Sequence, residues 1–171
     1  NTLRFLLPNI ADFDPAQHAL PLEEWMEIDP YALATARDLE NDCKAHYGKY
    51  EFHFIVQKLQ AFCSEDLGGF YLDILKDRLY TAGADSRARR SAQNALYHLT
   101  HSLVRLMAPI LSFTAEEVWQ VLAKNPEDSI FLHSWNDVLL NQSEEDAIRQ
   151  RWVQLRRVRA DALKQLEEVR V

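Results

Sequence analysis

The chain has 171 residues, 47% of them hydrophobic, and carries 19 Lys and Arg against 26 Asp and Glu, a formal net charge of −7. That is enough to bury one substantial core, and an acidic balance argues against indiscriminate nucleic-acid binding while leaving room for a local basic face. No apolar run is long enough to cross a bilayer, and Leu3, Phe5, Leu6 and Leu7 follow no basic region of the kind that opens a signal peptide. The chain opens on Asn1, which predicts a trimmed piece, and Cys43 and Cys63 lack CxxC spacing, which fits buried free thiols in a reducing compartment.

Leu3, Leu6 and Leu7 have helical spacing, but Pro8 resists an uninterrupted helix. Residues 8–28, with Pro8, Pro15 and Pro21, read as a connector with one short turn around Leu22 to Met26. A helix is predicted from Asp29 to Tyr47, with Asp29 as cap, Pro30 at the first helical position and Gly48 after its end. The next helix begins near Tyr50, carries Phe52, Ile55, Leu59 and Phe62 on one face, is interrupted at Gly68-Gly69, and restarts through Phe70, Tyr71 and Leu75 to Gly83. Ser86 opens the most regular segment: Ala92, Leu96, Leu99, Leu103, Leu106 and Ile110 step by four and three, a bundle seam closed by Pro109.

Thr114 with Glu117 reads as a capping box, and Phe113 with Val118 as a hydrophobic staple, for a helix that buries Val118, Trp119 and Leu122. From 125 to 142 the pattern lapses. Pro126, Asp128 and Asn136 mark loop there, and Ile130, Phe131, Leu132 and Trp135 mark an extended apolar stretch. Ser143 with Asp146 starts a last helix with an acidic first turn and a stripe of Trp152, Leu155, Ala162, Leu166 and Val169. The expected architecture is all-α: one antiparallel bundle of about five main helices. Residues 1–28 form a first helix and connector, 29–123 the core, 124–142 an irregular segment, and 143–171 a last helix that the chain leaves cut.

Catalytic signatures are missing. Gly68-Gly69 has neither the preceding strand nor the following Lys-Ser/Thr of a phosphate cradle. No Glu-x-x-His pair occurs, so a di-iron bundle is disfavoured. His98 and His101 share a helix face but lack a third ligand nearby in sequence, and Cys63 on the apolar stripe reads as structural. Glu65, Asp66, Asp73 and Asp77 read as surface carboxylates rather than an acid–base pair.

One arrangement stands out. Arg87, Arg90, Asn94, His98, His101 and Arg105 step by three and four along the helix from Ser86, forming a polar stripe without an acid opposite the leucine seam. Tyr97 flanks it as a stacking platform for bases, and Lys76, Arg78 and Tyr80 belong to the preceding helix. The plain alternative is a solvated face that keeps the bundle soluble. Arg149, Arg156, Arg157 and Lys164 form a second basic cluster on the last helix, with acids near enough to pair with them.

Several stretches resemble the isoleucyl-tRNA synthetases of bacterial type: 1–7 (NTLRFLL), 11–15 (ADFDP), 50–53 (YEFH), 62–81 (FCSEDLGGFYLDILKDRLYT), 86–99 (SRARRSAQNALYHL) and 107–119 (MAPILSFTAEEVW). The resemblance runs through essentially the whole chain. It implies the helical anticodon-binding domain of a class I enzyme, which follows the catalytic domain and grips the anticodon arm of tRNA. The HIGH and KMSKS signatures of the catalytic domain are absent, as is a cysteine-rich zinc module.

The resemblance therefore implies no cofactor and no catalysis in this piece. ATP with Mg2+, and Zn2+, belong to the intact cytoplasmic parent, with its catalytic, editing and C-terminal domains. Pro8 departs from the family, which more usually has a small residue there. The expected tRNA contacts are Arg78, Arg87, Arg90, Gln93 and Tyr97, with Lys76 and Arg105 as peripheral phosphate contacts and Asn1 and Arg4 as the remnant of the first helix. The rival readings are the same domain of a valyl or leucyl enzyme, or a helical protein-interaction module without RNA binding. An RNA binder should expose a contiguous positive surface across 76–80 and 87–105, and an interaction module an apolar patch of several hundred Å².

Overall fold

The computed structural model describes residues 1–135 and 145–169, and no strand occurs among them. The predicted loop residues Asn136 and Gln142, the start signal at Ser143 and Glu144, and the chain's last two residues lie outside those described.

Helix α1 spans Thr2–Asn9, with Pro8 inside its last turn and the chain leaving helical geometry at Ile10. A short α2, Pro15–His18, is capped by Asp14, whose carboxylate accepts from the Ala16 N–H at 2.9 Å. A 3₁₀ turn, Leu22–Glu24, then leads into α3, Ile28–Tyr47. Asp29 does not cap α3: no side chain bonds its N-terminus, and Asp29 lies inside the first turn with its carboxylate fully buried.

The following rod is unbroken. α4, Phe52–Ala61, passes into a π-helical segment, Phe62–Tyr71, and then α5, Leu72–Tyr80. The glycine pair does not interrupt the rod. A Cβ on Gly68 would lie 3.1 Å from the Cys63 carbonyl oxygen, and one on Gly69 would lie 3.2 Å from that of Ser64. Both contacts are to backbone five residues earlier, the partner distance of a π-turn, so the bare glycines let the widened turns close. Phe62, Leu67 and Leu72 are all buried at this five-residue spacing.

α6, Arg87–Met107, runs through the middle of the molecule and is capped by Ser86, whose hydroxyl accepts from the Arg89 N–H at 3.3 Å. Its leucine seam packs on α3 and on the rod, with Leu96, Leu99 and Leu106 sealed from solvent. α7, Ser112–Ala123, starts without the expected capping box, and Phe113 is 89% exposed, so the staple does not form either. Val104, Val118, Trp119 and Ile130 make a smaller apolar cluster beside the main one. The 130–135 stretch is a 3₁₀ turn, Ile130–Leu132, followed by Trp135, whose ring stacks on Tyr47 at 4.8 Å.

α8, Glu145–Val169, runs back along α3 and is held by charge and aromatics instead of an aliphatic stripe. Arg149 bonds both oxygens of Asp38 at 3.0 and 2.9 Å, Trp152 stacks on Tyr31 at 5.3 Å, and Arg156 meets Asp66 at 2.6 Å. Leu155, Leu166 and Val169, expected to be buried, stay exposed.

The elements meet at Asp29. Arg78 of α5 donates from both terminal nitrogens to its oxygens at 3.0 and 2.6 Å, Tyr71 donates its hydroxyl at 2.7 Å, and Ser91 of α6 donates as well. Ser91 in turn accepts from the Met26 N–H at 2.7 Å, and Arg78 also donates to the Ala88 carbonyl at 2.7 and 3.0 Å. A charge taken out of water is tolerable only with this kind of full pairing. Asp29→Ala strands the Arg78 charge, and we expect it to lower unfolding free energy by about 3–5 kcal/mol, read by urea denaturation; a loss near zero would show that the cluster does not set stability.

Candidate nucleic-acid interface

Most of the polar stripe of α6 is covered: Arg90, Asn94 and His101 are buried, His98 and Arg105 are half-buried, and Arg87 is exposed, while Gln93 on its flank is sealed. The connector of residues 8–28 lies across them and uses their polar atoms. Gln93 donates its amide to the Asn9 carbonyl at 2.9 Å and to Asp12 at 2.7 Å. Asn94 accepts from the Leu20 N–H at 3.3 Å and donates to the His18 carbonyl at 3.1 Å. A connector without regular structure has backbone groups to satisfy, and the stripe satisfies them.

The expected tRNA contacts therefore separate. Arg78 is bound to Asp29, and Arg90 to Gln93 and Asp85 at 2.8 Å each, so both guanidinium groups are committed inside the fold. Gln93 is likewise internal. Arg87 is exposed and spends its Nε–H on the Glu24 carbonyl at 2.6 Å. Lys76 is exposed and paired with Asp73 at 2.9 Å, while Arg4 and Asn1 are exposed on α1. The contiguous positive surface expected across 76–80 and 87–105 does not form: the connector covers Arg90, Gln93 and Asn94, and Arg78 turns inward to Asp29.

Tyr97 is half-buried and lines a cleft of about 360 Å³. One wall is α1 and the connector, through Leu7, Ile10, Phe13 and Asp14; the other is the end of α7, through Val121, Leu122 and Lys124. The Tyr97 and Phe13 rings meet at 5.6 Å. Lys124 ends α7 in the left-handed region, φ 52°, a geometry the sequence-based reading does not anticipate for a lysine. Arg4 and Lys124 form no ion pair with the described residues. Of these two, Lys124 lines the cleft, and an aromatic floor, apolar walls and one unpaired cation suit a stacked base with its phosphate. The second basic cluster is mostly internal too: Arg149 and Arg156 hold α8 down, leaving Arg157 and Lys164 exposed.

Arg105 is half-buried over the Trp119 ring at 4.6 Å and donates to the His101 carbonyl at 3.2 Å. His101 lies between Tyr97, at 4.3 Å, and Trp119, at 5.3 Å, so the stripe's histidine is packed between two aromatic rings. No group of three or more His, Cys, Asp or Glu that could hold a metal occurs among the described residues. Burial pushes the Cys63 thiol up and that of Cys43 up to about 11, which leaves both as thiols rather than nucleophilic thiolates at neutral pH.

The class of this helical bundle is a known one: residues 29–170 match the family described as the anticodon-binding domain of tRNA ligase. The chain belongs to that family. It is also similar over its whole length to proteins named isoleucine–tRNA ligase: 64% identical to that of Thiobacillus denitrificans, 59% to that of Paraburkholderia phytofirmans and 60% to that of Nitrosomonas europaea. In each case it spans 18% of the relative's length.

One residue of this region gives the fold a pH dependence. Burial, with Arg105 beside it, pushes the His101 pKa down to about 4. An unfolded imidazole titrates near ~6.5, so between those values the unfolded chain takes up a proton that the native chain refuses. Stability should therefore fall as pH drops from about 6.5 to about 4, by on the order of 3 kcal/mol, and His101→Phe should flatten that slope in urea melts at several pH values.

Proposed function

We propose that this chain is the part of an isoleucine–tRNA ligase that holds the anticodon arm of tRNA(Ile), while ATP-dependent aminoacylation takes place on other domains of the parent. The observation that carries this reading is the family match over most of the bundle, joined to full-length similarity to proteins of that name. The parent would act in the cytoplasm, with ATP, Mg2+ and Zn2+ bound outside this chain.

The cleft beside Tyr97 supplies the geometry. An unpaired base stacks on Tyr97, and its neighbouring phosphate lies against Lys124, with Arg4, Arg87, Lys76 and Asn1 as outer contacts. Arg105 contributes through its hold on Trp119 and His101 more than through a phosphate. Arg78, Arg90 and Gln93 shape the interface from beneath, by fixing α5 and the connector against α6. Phosphate contacts position the arm, and base contacts select it.

Arg4→Glu and Lys124→Glu should each weaken binding of a tRNA(Ile) transcript and reduce the slope of log affinity against log salt by about 1, measured by filter binding. Unchanged affinity and slope would remove the cleft from the tRNA site. In a separate assay, the longer parent protein should catalyse isoleucine-dependent ATP–pyrophosphate exchange, and the 171-residue chain should not. Activity with valine or leucine in place of isoleucine would redirect the assignment, and activity of the chain alone would overturn the division of labour.

A further inference from the structure

The connector wall of the Tyr97 cleft is a run of consecutive residues with one gap. Ile10, Ala11, Phe13, Asp14 and Pro15 line the cleft, and Asp12 does not. Its carboxylate is turned to α6 instead. The Gln93 amide donates to it at 2.7 Å, Arg89 reaches its two oxygens at 3.4 and 3.3 Å, and the Arg90 guanidinium lies 3.6 Å away. Arg89 and Gln93 stand one turn apart on α6, so one carboxylate can take both donors only when it is seated over that turn. Arg89 also donates to the Leu79 carbonyl at 2.5 Å, which ties the same point to the end of α5. Partial burial works to raise the Asp12 carboxyl, but the Gln93 bond and the Arg89 charge outweigh it and hold the group below its ordinary value. It is therefore a carboxylate at neutral pH.

What Asp12 holds is the residue after it. Phe13 is buried, and its ring meets Tyr97 at 5.6 Å and His18 at 6.0 Å. On either side, the carbonyls of Asn9 and His18 are tied to α6 by Gln93 and Asn94. Asp12 lies between these two anchors and bonds the stretch carrying Phe13 to α6 through its own side chain. This wall falls outside residues 29–170, the span that matches the anticodon-binding family, whereas Tyr97, Val121, Leu122 and Lys124 fall inside it. The cleft joins a segment beyond that span to helices within it, and Asp12 is at the joint.

We propose that Asp12 is a positioning residue for tRNA binding: a carboxylate that strengthens the hold on RNA without touching it, by pinning the connector wall to α6 so that Phe13 and Tyr97 form one aromatic corner for a base. The proposal rests on the Tyr97 cleft being the tRNA site. It runs against the plain electrostatic expectation. The Asp12 side chain is 45% exposed, and removing its charge also frees Arg89, so long-range attraction alone would make a neutral variant bind a polyanion more tightly. Positioning requires the opposite sign.

Binding of a tRNA(Ile) transcript to the 171-residue chain, titrated at several salt concentrations, reads that sign. Asp12→Ala should weaken binding about tenfold, the worth of one stacking contact, and leave the slope of log affinity against log salt unchanged because no phosphate contact is lost. Asp12→Asn keeps an acceptor for Gln93 but no charge for Arg89 and Arg90, and should recover part of the loss. Hydroxyl-radical footprinting without RNA reads the local cause: Tyr97 should oxidise severalfold faster in Asp12→Ala, while Tyr71, sealed beside Asp29, stays protected. Unchanged or tighter binding in both variants would overturn the proposal, as would weaker binding with Tyr97 oxidation unchanged. Exposure of Tyr71 in both variants would make Asp12 a residue of the whole fold and overturn it as well. If Lys124→Glu leaves tRNA binding unchanged, the cleft reading fails and this role fails with it. If Lys124→Glu weakens binding and the Asp12 variants do not, the positioning role alone fails.

Discussion

Asp29 is a charge held wholly inside the protein, and a buried carboxylate dictates what surrounds it. It needs a cation and further donors, and the chain supplies these from three places: Arg78 from α5, Tyr71 from the π-segment and Ser91 from α6. Its position in the first turn of α3 adds the favourable end of the helix dipole. Leucine packing alone would let the helices slide by a turn at little cost. A bidentate guanidinium with two hydroxyl donors has one geometry, so this cluster fixes the register of α3 against the rod and α6.

The connector depends on the same cluster. The Ser91 hydroxyl that donates to Asp29 also receives the Met26 N–H, so the entry to α3 is tied down where the charge is buried. From there the connector runs back over α6, its carbonyls and amides taken up by Gln93 and Asn94. The result is a polar layer inside an α-helical bundle. The cleft beside Tyr97 exists because the connector ends its run against α7, leaving the tyrosine ring as the floor between them.

How much of this was legible in the sequence varies by interaction. The leucine seam of α6 and the Ser86 cap were plain, because helical period and a capping hydroxyl are local signals. Asp29 read as a cap because aspartate before proline at a helix start usually is one; only the distant Arg78, Tyr71 and Ser91 make it a core residue. The stripe from Arg87 to Arg105 had the right period for a face but gave no hint of what covers it, since residues 8–28 show no periodicity of their own. Phe113 and Thr114 had the spacing of a staple and a capping box, yet α7 starts one residue before Phe113 and leaves that ring outside. At the Gly68-Gly69 pair a signal existed: Phe62, Leu67 and Leu72 repeat at five, which neither an α-helix nor a break would produce.

That five-residue repeat also governs how the rod transmits rotation. A π-turn takes more residues to go round than an α-turn, so each one delays the helical phase of everything after it. α4 and α5 are therefore two helices in one continuous run whose faces are offset by the segment between them. Ile55 can look toward the core from one half while Arg78 and Leu79 look toward Asp29 and α6 from the other. The segment acts as a phase adjuster: residues gained or lost there would turn α5 about its own axis relative to α4. A length change of one residue in this stretch is thus a larger event for the fold than most substitutions in the core.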